Sequence, residues 1–222
     1  MSARRPTRRR RAGRFLVLEG LDGAGTTTQA QRLATWLREQ GRAVHVTAEP
    51  STGPVGALVR QVLTHRLGGT SRGEGGVAPF DPQALALLFA ADRLDHVAAE
   101  IAPRLAEGVD VISDRYTLSS LAYQAVTCGD ATWVEAVNAR APAPDATLFL
   151  EVSAATALRR RFAASSRRDL FEVPAFQRQV ARAYRRALAR LEELGQRVVV
   201  VDGERPVDEV TAALAEQVRR LP

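Results

Sequence analysis

Apolar residues fall in five short runs along this chain, separated by stretches with helical rather than alternating spacing. Phe15-Leu16-Val17-Leu18 forms the core of the first run, over 14–19, and the others cover 43–47, 109–113, 146–151 and 197–201. Runs of this length, rich in Val, Leu, Ile and Phe and bounded by Gly or polar residues, are the signature of buried strands. The segments between them predict helices over 26–40, with Gly41 as the stop, over 54–65 and over 81–107. Nearly all-apolar strands alternating with helices require a parallel sheet covered on both faces. The expected architecture is α/β, in three layers, with a five-stranded parallel sheet and helices on both faces. No internal repeat or linker interrupts it, so one domain is expected over 14–222, preceded by an arm over 1–13. Residues 68–79, rich in Gly, Ser and Thr, read as a surface loop.

In such a sheet, ligands collect at the carboxyl ends of the strands. Function is therefore expected in 20–28, 49–52 and 114–123, the segments that follow the first three strands.

Composition narrows the classes. The 222 residues, 45% of them hydrophobic, can bury a sizeable core and exclude a disordered chain. No apolar run is long enough to span a bilayer, and residues 15–18, behind the basic N-terminus, are too short for a signal-peptide core. Cys128 is the sole cysteine, so no internal disulfide is expected. It reads as a small buried hydrophobe in a reducing cytoplasm. The net charge of +6 invites a nucleic-acid partner, but seven of the 31 arginines lie in residues 1–14, and the other 24 nearly balance 25 acidic residues. The block Arg4, Arg5, Arg8, Arg9, Arg10 and Arg11 has no apolar periodicity and reads as a solvated, incidental arm. The chain contains no lysine.

Gly20-Leu21-Asp22-Gly23-Ala24-Gly25-Thr26-Thr27-Thr28 follows a strand and opens a helix. Its glycines permit a turn that aims backbone N–H groups at phosphates, and the helix N-terminus adds positive potential. Thr27 or Thr28 could offer a hydroxyl to Mg²⁺. The spacing G-x₄-G-x-[ST] also occurs in tight βα turns that bind nothing; strand before and helix after favour a phosphate loop. A phosphate loop carries Lys where this chain has Thr26, and that Lys bridges the donor's β and γ phosphates. Avoidance of lysine explains arginine on a surface, but not threonine here. Arginine from elsewhere must supply the charge, or transfer is impaired.

Asp114-Arg115-Tyr116 closes the third strand. A carboxylate there can hold Mg²⁺ through water, and Arg115 can clamp a phosphate bidentately; an exposed ion pair at a strand end is the plainer alternative. Ser119, Ser120, Tyr123 and Gln124 follow at a helix start. Phe89 and Arg93 lie four apart on one helical face, where together they could stack on a base and hydrogen-bond its edge. Singly, Phe89 reads as core and Arg93 as a solvated residue.

These segments together resemble the thymidylate kinase family. Ile112-Ser-Asp114-Arg115-Tyr116-Thr-Leu-Ser119-Ser120-Leu-Ala-Tyr123-Gln124 matches the family signature position by position, and Glu19 to Gly25, Glu49-Pro50 and Phe89-Ala-Ala-Asp92-Arg93 fall in the expected order. The resemblance implies a P-loop kinase that binds ATP on Gly20 to Thr28 and, with Mg²⁺, phosphorylates dTMP to dTDP. It implies Phe89 stacked on thymine, Arg93 and Ser120 near the polar edge of the base, and Tyr123 under the sugar, where crowding at the 2′ position favours deoxyribose. Glu49 and Asp22 would lie near the acceptor's sugar and phosphate, with Ser119 and Gln124 in the same site and Pro50 after a cis bond. Arg115 would hold the acceptor phosphate, while Asp114 and Thr27 organise Mg²⁺. A mobile lid is expected at about 153–172, where Arg159, Arg160, Arg161, Arg167 and Arg168 cluster. The loop has Gly23 and Ala24 and no arginine, so the lid must supply the catalytic one. Thr26 departs from the family pattern, as does Ala48, where many bacterial members carry arginine. A cytoplasmic homodimer is implied.

Three rivals remain distinguishable: a kinase for another monophosphate or a deoxynucleoside, a nucleotide-binding protein that has lost catalysis with its lysine, and a polyanion binder acting through the arm.

Overall fold

The structure, a computed structural model, describes residues 12–64, 67, 80–164 and 174–221. In chain order its elements are β1 (Phe15–Gly20), α1 (Thr26–Glu39), β2 (Val44–Ala48), α2 (Pro54–Leu63), α3 (Pro82–His96), a π-helical turn (Val97–Ile101) and α4 (Ala102–Ala106). Then come β3 (Asp110–Asp114), α5 (Thr117–Cys128), α6 (Ala131–Asn138), β4 (Ala146–Glu151), α7 (Ala154–Ala164), α8 (Pro174–Glu193), β5 (Val198–Asp202) and α9 (Val207–Arg219). Residues 1–11 of the arm and the loop at 68–79 lie outside the described residues, as do Arg167 and Arg168, while Gly13 at the end of the arm donates its N–H to the Leu105 carbonyl at 2.9 Å.

The five strands form one parallel sheet in the order β2-β3-β1-β4-β5, with Leu16 of β1 opposite Ile112 on one side and Ala146 on the other. Strand β1 is central and buried throughout. Its Leu16 and Leu18 join a core with Leu33 and Leu37 of α1, while Phe15 and Val17 join a second with Ile101 and Tyr116. Alternate residues of one strand thus bury against different partners, which is why the run is apolar without alternation. The α/β class expected above is the one observed.

Four strands run one residue further toward their carboxyl ends than expected. Asp114 and Asp202 terminate β3 and β5 through backbone pairing with Leu18 and Glu151, which apolar patterning does not register. The helix expected over 81–107 begins with Asp81 accepting from the Ala84 N–H, then widens into the π-turn before Pro103. A regular helix could not take a hydrogen bond from proline or fit its ring against the preceding turn. Cys128 is half-buried rather than buried, its Sγ 3.4 Å from the Pro82 carbonyl oxygen.

At the amino end of β3, the fully buried Asp110 is gripped by two arginines. Arg14 donates its backbone N–H (2.8 Å) and Nη2 (2.9 Å), and Arg42 donates Nε (2.9 Å) and Nη2 (2.5 Å). Burial pushes this carboxyl up, but the hydrogen bonds from Arg42 and Arg14 outweigh it and bring the pKa to about 2.

Candidate active site

From β1 the chain runs to β2 and β3 on one side of the sheet and then crosses to β4 on the other, so the crevice expected at this switch point opens over the carboxyl end of β1. The loop from Gly20 to Gly25 lies there. Gly23 and Gly25 have φ of +92° and +96°, a left-handed conformation that favours glycine. A Cβ on Gly23 would also come within 2.2 Å of the Ala157 carbonyl oxygen, so the loop packs directly on α7. Thr26 is the first residue of α1 and is buried, while Thr27 and Thr28 face outward. All residues from Asp22 to Thr28 border an open cleft; the Leu21 side chain instead belongs to the core.

Thr27 Oγ1 donates to Asp114 Oδ2, and the other carboxylate oxygen, Oδ1, is buried without a hydrogen-bond partner. A buried, unpartnered carboxylate oxygen beside a hydroxyl at a helix N-terminus is a hard oxygen set that fits Mg²⁺.

A second cavity lies beside the cleft. Its wall includes all nine residues expected at an acceptor site: Glu49, Pro50, Phe89, Arg93 and Arg115, with Ser119, Ser120, Tyr123 and Gln124. They come from the turn after β2, from α3 and from the β3–α5 segment, and no two of these elements are adjacent in sequence. The Glu49–Pro50 bond is cis, as the resemblance implies. Leu63 and Tyr116 also border this cavity, and neither was expected.

Arg93 is not a solvated residue. It is 1% exposed, and each of its nitrogens has a protein partner. Nε donates to Glu49 Oε2 (2.9 Å), Nη1 to Ser120 Oγ (3.1 Å) and Asn138 Oδ1, and Nη2 to the Tyr116 carbonyl (3.0 Å). His96 approaches the other Glu49 oxygen at 3.3 Å.

Cleft and cavity meet at Asp22 and Arg115, which border both. Arg115 Nη2 donates to Asp22 Oδ1 at 2.6 Å, and the Asp22 N–H donates to the Tyr123 hydroxyl at 3.1 Å. Burial alone would lower the Arg115 pKa, but Asp22 and the tyrosines around it drive it well above its ordinary value. A permanently charged fork therefore stands between a phosphate loop and a pocket floored by aromatic residues.

The sequence model of the thymidylate kinase family matches residues 18–214. The chain belongs to the thymidylate kinase family. It is 40% identical over 172 residues to a probable thymidylate kinase of Pyrococcus horikoshii, covering 78% of this chain and 81% of that one. It is also 40% identical over 210 residues to a thymidylate kinase of Leifsonia xyli subsp. xyli, covering 92% and 93%. Membership makes it a nucleoside monophosphate kinase, a nucleotide-binding transferase. Among the described residues no helix is long and apolar enough to cross a membrane.

The arginines expected to form the lid separate. Arg160 and Arg161 border the cleft, and the Arg161 Cβ would lie 3.3 Å from a Cβ placed on Gly23. Arg160 Nη1 donates to the Gly203 carbonyl at 2.8 Å. Arg159 turns away to Thr156 of its own helix (3.3 Å), because consecutive helical residues point about 100° apart.

Sequence reasoning missed the loop from Gly203 to Val207, which forms the far wall of the cleft. It follows β5, so the carboxyl-end rule applied to all five strands would have found it. Glu19 was also missed: fully buried, it accepts from the Tyr116 N–H (2.8 Å) and the Ser119 hydroxyl (2.6 Å). Burial raises its pKa to about 7, against the pull of Arg115, Ser119 and the Tyr116 N–H. An acidic residue in an otherwise apolar strand was the available signal.

Proposed function

We propose that this chain transfers the γ-phosphoryl group of ATP to dTMP, giving dTDP and ADP. One observation carries the reading: the nine acceptor-site residues border one cavity, and that cavity joins the phosphate-loop cleft at Asp22 and Arg115. Phe89 and Tyr123 hold base and sugar, and Arg115 clamps the acceptor phosphate with its fork, exchanging the Asp22 contact for phosphate oxygens. The backbone of Gly20 to Thr28 and the start of α1 hold the donor phosphates. Bringing the two phosphates together at one charged junction supplies positioning and charge stabilisation, the main requirements of in-line phosphoryl transfer. Asp114 and Thr27 would hold Mg²⁺, which neutralises donor phosphate charge when bound.

Arg93, on the wall of this pocket, lies near the polar edge of the base, and its hydrogen bonds to Ser120 and Glu49 fix those side chains beside it. Arg161, beside Gly23, is the described lid arginine best placed to offset the absent lysine at Thr26. The lid itself is proposed at 153–172 within one kinase domain over 14–222, with the arm over 1–13 incidental and nucleic acid at most a weak partner through that arm. A cytoplasmic homodimer completes the reading; Leu58 of α2 and Leu87 and Leu94 of α3, all exposed, suit a contact between copies.

The test is a coupled ADP-release assay with ATP, Mg²⁺ and each of dTMP, dUMP, dCMP and dGMP. Turnover greatest with dTMP is expected. Preference for another acceptor would displace dTMP, and binding of both nucleotides without transfer would mark a kinase that has lost catalysis.

A further inference from the structure

Glu19 and Tyr184 border neither cavity, yet both converge on the same side chain. Arg115 has φ +75°, a left-handed backbone that turns its side chain back over the end of β1. Its Nη2 faces Asp22, at the junction of the two cavities. Its Nη1 points the other way, to the Gly20 carbonyl (3.2 Å), Ser119 Oγ (3.0 Å) and the Tyr184 hydroxyl (3.2 Å). Tyr184 belongs to α8 and is 1% exposed, its ring packed on Phe149 and edge-on to Tyr123.

We propose that Tyr184 and Glu19 are positioning residues, a buried hydroxyl and carboxylate that aim the Arg115 fork at the acceptor phosphate. This rests on the reading of Arg115 as the phosphate clamp. The argument is one of donors and acceptors. A hydroxyl can accept from a guanidinium only if its own proton is directed elsewhere. Ser119 sends its proton to Glu19 Oε2 at 2.6 Å, and Tyr184 has the Gly20 carbonyl (3.0 Å) and Glu19 Oε2 (3.3 Å) within reach of its own. Glu19 Oε1 is meanwhile taken by the N–H groups of Tyr116 (2.8 Å) and Ser119 (3.1 Å). The carboxylate thus turns the lone pairs of both hydroxyls toward Nη1. Anchored there by neutral oxygens, the fork keeps its Nη2 edge toward the junction. Without the anchor its long side chain regains rotamer freedom, and bidentate capture of a phosphate loses its preset geometry.

The test compares dTMP with thymidine, which lacks the phosphate, by calorimetric titration of the full chain. Tyr184→Phe retains the ring and deletes only the hydroxyl. Glu19→Gln retains the shape but offers an N–H to Ser119, reversing that hydroxyl. Each variant should weaken dTMP binding about tenfold or more, the usual weight of hydrogen bonds to a charged group, while thymidine binding stays unchanged. In an Arg115→Ala background, neither should have any further effect. Equal weakening of dTMP and thymidine would assign the network to folding alone and overturn the proposal. So would a wild-type ratio of the two affinities in both variants. Arg115→Ala on its own separates the two claims. If it leaves the dTMP-to-thymidine ratio intact, the clamp reading itself falls. If it abolishes the preference while Tyr184→Phe and Glu19→Gln do not, only the positioning role falls.

Discussion

Arg93 Nε donates to Glu49 Oε2 at 2.9 Å, and both side chains are almost entirely removed from solvent. A buried pair of this kind makes opposite demands on two neighbours in the pocket. Arg93→Ala strands a buried carboxylate and should destabilise the fold by about 3–5 kcal/mol. Phe89→Ala removes a half-buried ring and should mainly raise the dTMP KM, because base stacking is worth ~1–3 kcal/mol. Urea denaturation beside steady-state kinetics on both variants checks the contrast. A Phe89→Ala enzyme with wild-type KM would remove it from the base site.

Arg115→Ala should lower kcat/KM for dTMP on the order of 10²-fold, as loss of a charged contact to the reacting group does in a dry site. Arg115→Lys should fall between, since it keeps the charge and loses the fork. Near-normal turnover in Arg115→Ala, with unchanged melting, would refute the assignment.

Thr26 and Arg161 should behave as a coupled pair. Arg161→Ala is expected to lower kcat on the order of 10³-fold, within the range for a charge-stabilising arginine in phosphoryl transfer, with dTMP binding nearly intact. Thr26→Lys should recover part of that loss and help the wild type much less, the non-additivity of groups sharing one task. Unaltered kcat in Arg161→Ala would leave Arg160, which also borders the cleft, and Arg167 and Arg168 as the remaining candidates.

Asp110 predicts a pH dependence of stability. Its folded pKa, about 2, lies below the ordinary 3.8, so its contribution is fully present above about pH 4 and is lost as pH falls toward 2. The shift corresponds to about 2 kcal/mol. Asp110→Asn should therefore be less stable than the wild type at pH 6 by at least that much, and the gap should narrow between pH 4 and pH 2 in equilibrium denaturation. A gap independent of pH would mean that the two arginines contribute packing rather than charge.

Much of this was legible in the chain itself. The inner strands β1, β3 and β4 were readable because a strand buried on both faces is apolar at nearly every position, a local property, and the half-buried edge strands β2 and β5 stood out by their valines. The phosphate loop was readable because left-handed turns favour glycine, which put Gly23 and Gly25 in view. The acceptor residues were readable because Asp114, Arg115 and Ser120 lie in one short signature, and Phe89 and Arg93 on one turn of helix. What only the tertiary structure decided concerns partners distant in sequence. That Arg93 is buried, and held by Glu49 44 residues away, could not be read from its helix face. Arg159, Arg160 and Arg161 looked alike until the facing of α7 sent one away from the cleft and two toward it. The Tyr184 hydroxyl meets Gly20 across 164 residues. Spacing along a chain reports the backbone's local chemistry, but a contact of 3 Å between remote side chains exists only once the sheet has set the carboxyl ends of β1 and β3 side by side and α8 has packed across them.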